Sequence, residues 1–171
     1  MLEVVIRNAA TNHHTEILKL TQMKSIFESL TREEVINRIN LLTNNSKPLW
    51  GKMNVEQMVK HCATCEDYYF GNLKVKRSFL GWLFGQRAIK NILKDENSSF
   101  GKNAPTSPKF KVTEDIENLG AEKARWKSLI EQYETFNKEN FVHWFFGNMT
   151  KEQLGQFIYK HCDHHLKQFG V

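Results

Sequence analysis

A disulfide framework is missing: three cysteines in 171 residues, an odd number, do not make one and suggest free thiols in a reducing compartment. No run approaches the roughly 18 apolar residues of a membrane span, and no charged-then-apolar leader opens the sequence. A soluble, cytoplasmic protein with no stable membrane insertion is expected. Strand-like alternation is missing as well. Helix-turn-helix, zinc-finger and aromatic RNA-binding signatures are absent, and acids and bases are interspersed over most of the length. The net charge of +5 therefore does not imply nucleic-acid binding.

What remains is helical periodicity. Residues 31–171 suit one domain, long enough to bury a single core. Residues 1–30 form an N-terminal segment without a sustained period, in which Met23 is an alternative start. His13 and His14 fall in a polar cluster there and read as solvent-exposed. Thr31 with Glu34 spells a capping box for a first helix carrying Val35, Ile39 and Leu42. Asn54 with Gln57 starts a second, with Val55, Met58, Val59, Cys62 and Tyr69 on one side. Thr113 is expected to cap a third, with Trp126, Leu129, Ile130 and Tyr133 at helical spacing. Phe141–Gly147 reads as an aromatic turn, and Thr150 with Gln153 opens the last helix.

Between the second and third helices lie two unusual stretches. From Lys74 to Lys94 there are six basic residues and no acidic one, interleaved with Phe79, Leu80, Trp82, Leu83 and Phe84. A short helix capping the core is preferred over a membrane- or partner-binding segment. Residues 95–112 are rich in Ser, Asn, Lys and Pro. So long an irregular connection borders ligand sites in many domains.

Chemistry enters on the last helix. His161 and His165 fall on the stripe begun by Leu154, Phe157 and Ile158, four residues and about 6 Å apart along the axis, a spacing from which both imidazoles reach one divalent metal ion. His164 lies about 80° off the stripe and reads as a flank residue. His61 sits at the edge of the second helix's stripe, His143 reads as a packing or hydrogen-bonding residue, and Cys62 and Cys65 as packing residues despite their redox-type spacing. Glu66 and Asp67 are solvated carboxylates or supporting groups for a metal site.

Four amphipathic helices make an all-α four-helix bundle. If the link of about 40 residues crosses the length of the bundle, the second and fourth helices are antiparallel, and His61, His161 and His165 meet at one level; a simple up-down-up-down order puts His61 about 6 to 12 Å out of level. A three-histidine site therefore favours the long crossover.

The segments PLWGKMNVEQMVKHC, LFG, APTSPKF, HWFFGNMT and YKHCDHHLKQFGV resemble the DinB-like four-helix-bundle superfamily of metalloenzymes, and within it a branch described only as a domain of unknown function. The resemblance covers about Met23 to Val171 and implies an up-down-down-up bundle with a three-histidine divalent site at His61, His161 and His165. Two departures, His143-Trp144 for His-Pro and Gln153-Leu154 for Glu-Trp, leave the ligands intact and alter the pocket mouth. Three neutral imidazoles suit zinc or nickel with an open position. The resemblance then suggests hydrolysis of a small-molecule substrate or transfer dependent on a low-molecular-weight thiol. The rival class is a non-catalytic module that binds metal, a protein partner or a membrane surface. A homodimer is compatible with either.

Overall fold

The computed structural model describes residues 23–171; the readings of His13, His14 and the run before them lie outside that range. The described chain is mostly helical, as expected, but contains five helices and a two-stranded sheet where four helices alone were read.

Helix α1 spans Ser29–Leu41, and Thr31 does not cap it. Glu28 takes the cap position without a side-chain cap bond, while the buried Thr31 hydroxyl, inside the first turn, donates to the Glu28 carboxylate at 3.3 Å. Glu34, the expected box partner, instead pairs with Lys24 at 2.6 Å. Helix α2, Val55–Phe70, starts as read. Asn54 Oδ1 accepts from the Gln57 amide at 2.8 Å and Gln57 Oε1 from the Asn54 amide at 3.1 Å. It stops at Gly71, whose φ of +92° costs a residue without Cβ little.

Helix α3, Phe79–Ile92, arises from the basic stretch and is capped by Ser78. Helix α4, Leu119–Glu131, starts later than read: Asn118, not Thr113, accepts from the Ala121 amide at 2.9 Å, and residues 113–118 are irregular. The aromatic turn is a β-hairpin of β1, Asn140–His143, and β2, Gly147–Thr150, paired antiparallel. Strands of four residues are too short for alternation to register. Helix α5, Lys151–Gln168, carries the expected Thr150–Gln153 capping box.

Contacts along each helix pair fix their relative direction. Helix α2 faces α5 head to tail, with His61 beside His165 and Tyr69 against Phe157. It runs alongside α4 in the same sense: Lys60 pairs with Glu114 ahead of α4, Asp67 with Arg125, and the Phe70 ring stacks on Tyr133 just past it. Helices α1 and α5 also match in order, Tyr159 donating to Glu34 and Arg38 to Asp163. Val35, Ile39, Met58, Trp126, Ile130 and Ile158 lie fully buried between these four.

Helix α3 corrects the core-cap reading, because it docks on the hairpin through glycine. A Cβ on Gly81 or Gly85 would collide with the Phe145 backbone. Gln86 Nε2 donates to the Phe146 and Asn148 carbonyls at 2.6 and 2.9 Å, and Arg77 to those of His143, Trp144 and Phe145 at 2.8–3.0 Å. Only Gly81, Gly85 and Ile89 of α3 are buried, whereas Trp82 is 70% exposed. Backbone-to-backbone contact requires residues without Cβ, so the aromatic side chains are left outside. Trp126→Ala should lower unfolding free energy by about 3 to 5 kcal/mol, as for a buried Trp, and Trp82→Ala by less than about 1 kcal/mol; paired denaturant titrations test the contrast.

Candidate metal centre

Burial of α2 against α5 brings three imidazoles together. The ring centres of His61 and His161 are 5.5 Å apart, those of His61 and His165 4.9 Å, and those of His161 and His165 4.8 Å. His61 and His165 are buried, and His161 is partly so. His61, read from its periodicity as an edge residue, is covered by the irregular connection, where a 3-10 turn, Pro108–Phe110, packs its Phe110 ring on Tyr68.

The connection also sets the His61 tautomer. Its Nδ1–H donates to the Phe110 carbonyl at 2.7 Å, which leaves the Nε2 lone pair free. His165 is oriented in the same way from the other side. Gln168 Nε2 donates to the Trp50 carbonyl at 2.7 Å, so the Gln168 amide oxygen points back and accepts from His165 Nδ1–H at 2.9 Å. His161 Nδ1 is buried with no hydrogen-bond partner among the described residues, an uncompensated polar atom of the kind an ion or ligand satisfies. Burial holds His61, His161 and His165 below the ordinary imidazole range, and the neighbouring imidazoles add to this at His161 and His165. All three are neutral at pH 7, the form that ligates metals.

A sulfur donor that the sequence reading missed stands here, and the donor atoms that lie close to one another are those of His61, Cys65 and His161, without His165. Cys65 Sγ lies 3.8 Å from His61 Nε2, and Cys65, His61 and His161 each place a donor atom within 4.8 Å of the other two. The signal was the four-residue spacing of His61 and Cys65, which puts both on one helix face; the Cys62-Cys65 spacing drew attention from it. Cys62 Sγ faces Met58 Sδ at 3.8 Å, and the Cys162 thiol donates to Glu66 at 3.5 Å. Neither is at the cluster.

Other candidates fall elsewhere. His143 is buried behind Phe157, which separates it from His161. Its Nδ1 accepts from the Phe145 and Phe146 amides at 3.1 and 3.2 Å, and burial, with Arg77 nearby, pushes its pKa down to about 3. It staples the hairpin. Asp67 is on the surface with Arg125. Glu66 is not solvated as read: it is fully buried, accepting from Tyr133 and Cys162.

His164 flanks the cluster, as expected, and lines a cleft of about 420 Å³ with Trp50, Phe100, Lys102 and Tyr159. The Phe100 ring stands edge-on to both His161 and His164, between cleft and cluster. The rim is held by Lys160, whose ammonium donates to the carbonyls of Asp95, Glu96 and Ser98.

Residues 19–170 match the family described as "Protein of unknown function (DUF1569)". No curated protein and no solved structure matches the chain. Among the described residues, no helix is long and apolar enough to cross a membrane.

Burial raises the Glu66 pKa from 4.5 to about 7. The folded state thus keeps a proton that the unfolded chain releases, and wild-type stability falls as pH rises between those values. Glu66→Gln removes this loss. Its stability relative to wild type should grow between pH 4.5 and 7 to a plateau on the order of 3 kcal/mol, read by chemical denaturation across that window.

Proposed function

We infer that this chain, which belongs to the DUF1569 family of proteins of unknown function, is a metal-dependent enzyme that holds one divalent ion, zinc or nickel, through His61, His161 and His165. The observation that carries the reading is the fixing of two imidazoles by acceptors on their far nitrogens. Phe110 O and Gln168 Oε1 engage Nδ1–H of His61 and His165, as outer partners of metal-bound histidines do. Spacing supports the same conclusion. Imidazoles sharing one ion at about 2.0–2.1 Å with tetrahedral angles have ring centres about 5 Å apart, and the three here are separated by 4.8–5.5 Å, so that His165 would have to turn its ring to join the donor atoms of His61 and His161, which now lie nearest Cys65.

The pairwise helix directions favour an up-down-down-up arrangement of α1, α2, α4 and α5, with residues 71–118 as the long crossover, and with it kinship to the DinB-like superfamily. Bound at the cluster, the ion supplies Lewis acidity toward a thiol, a water or a carbonyl group. The protein's own residues then bind and shield: the cleft admits a small molecule, Phe100 screens the imidazoles from bulk water, and Phe110 and Gln168 keep His61 and His165 in the ligating tautomer. Hydrolysis and thiol-dependent transfer both fit such a site.

Cys65 favours a second reading, in which its thiol completes a closed four-ligand structural site. Cobalt-substituted protein separates the two. Without a thiolate-to-metal charge-transfer band, and with spectral change on adding a hydroxamate or small thiol, the site is open; a band lost in Cys65→Ser marks the structural site.

Protein purified without a His tag should contain about one divalent metal ion per chain, and His161→Ala and His165→Ala should each remove it. Elemental analysis measures this, and full retention in both variants refutes the site. Gln168→Met, which frees His165 Nδ1, should weaken metal affinity by about 10- to 100-fold without unfolding the chain, read by competition with a chromophoric chelator.

A further inference from the structure

We propose that the N-terminal half of α3 docks on an anionic phospholipid surface, lying in the headgroup plane. The exposed residues there are Phe79 at 72%, Leu80 at 59%, Trp82 at 70%, Leu83 at 49% and Phe84 at 58%, five large apolar side chains in six consecutive positions. A patch of that kind on a soluble domain marks an interaction site.

The exposure is built into the docking of the helix. Gly81 and Gly85 allow α3 to lie directly on the Phe145–Phe146 backbone, where any Cβ would collide, and Arg77 and Gln86 fasten both ends of that contact to hairpin carbonyls. Helix α3 cannot roll its aromatic side inward without breaking these contacts.

Charge selects the occupant. Lys74, Lys76 and Arg77 precede the apolar turns and Arg87, Lys90 and Lys94 follow them; all six are exposed, and residues 74–94 include no acid. None of the six forms a salt bridge with a carboxylate of the described residues. A second copy of the chain meeting this face across a two-fold axis would set like charges against one another. An anionic headgroup layer meets the basic flanks with opposite charge while its acyl boundary takes the aromatic side chains. At 14 residues, about 21 Å, α3 is too short to span a bilayer and long enough to lie on one.

The full chain is tested by sedimentation with phosphatidylcholine vesicles containing phosphatidylglycerol, against phosphatidylcholine alone. Binding should be stronger by about tenfold or more with the anionic lipid, weaken in high salt, and fall at least as far in the triple variant Phe79→Ser, Trp82→Ser, Phe84→Ser with its thermal melt retained. Brominated lipid should quench a fluorescence component that is missing in Trp82→Phe. No binding to anionic vesicles, or equal binding by the triple variant, overturns the proposal. So does self-association in solution that the triple variant abolishes, which would assign the face to a second copy. Metal content enters none of these readouts.

Discussion

A neutral imidazole has one nitrogen that donates and one that accepts, and burying three of them in one seam obliges the protein to find partners it cannot draw from helix backbone. Much of the irregular structure meets that demand. The Pro108–Phe110 turn brings a carbonyl to His61, and the segment before Asn54 brings the Trp50 carbonyl that turns the Gln168 amide toward His165. His161 Nδ1, by contrast, is buried without a hydrogen-bond partner among the described residues, so the seam is answered at His61 and His165 and left open at His161. An unanswered buried nitrogen of this kind is what a bound ligand would satisfy.

The same low-dielectric interior treats acids differently. Glu66, five residues beyond His61 on α2, has its pKa raised to about 7 by burial, against the hydrogen bonds from Tyr133 and Cys162, which favour the charged form. Its negative charge near neutrality is thereby reduced, and its hydrogen bonds go to Tyr133 and Cys162, not to the imidazoles. The imidazoles contribute no counter-charge, so a divalent ion held by them alone would keep its double charge, whereas a Cys65 thiolate would reduce it.

Legibility in the sequence followed the range of the interactions involved. Capping boxes at Asn54 and Thr150 are contacts over three residues, so α2 and α5 were placed closely, and with them the mutual approach of His61, His161 and His165 that the four-residue repeat and the antiparallel arrangement require. Thr31 carried the same motif and failed, because burial inside the first turn outweighed its capping preference. The hairpin was too short to display a period, and its key polar contact, His143 with two amides of its own turn, looks in sequence like one more aromatic. Helix α3 departs from the expectation for a physical reason: two glycines, not the apolar side chains, take its inward side. Cys65 was within reach, since its spacing from His61 equals that of His161 from His165.

Lys160 has a consequence of its own. Its ammonium is surrounded by the carbonyls of Asp95, Glu96 and Ser98, much as a small inorganic cation sits in a backbone cage, and burial lowers its pKa. The segment over the cleft is therefore held at two places, by this clasp and by the Phe100 ring packed on Phe157, His161 and His164. Any local opening of this rim would have to break the three hydrogen bonds and withdraw Phe100, contacts separate from those that pack the four helices beneath. The rim thus joins the cleft to the core through one aromatic ring and to helix α5 through one ammonium, so that access to the imidazoles and the packing of Phe157 are tied to the same residue.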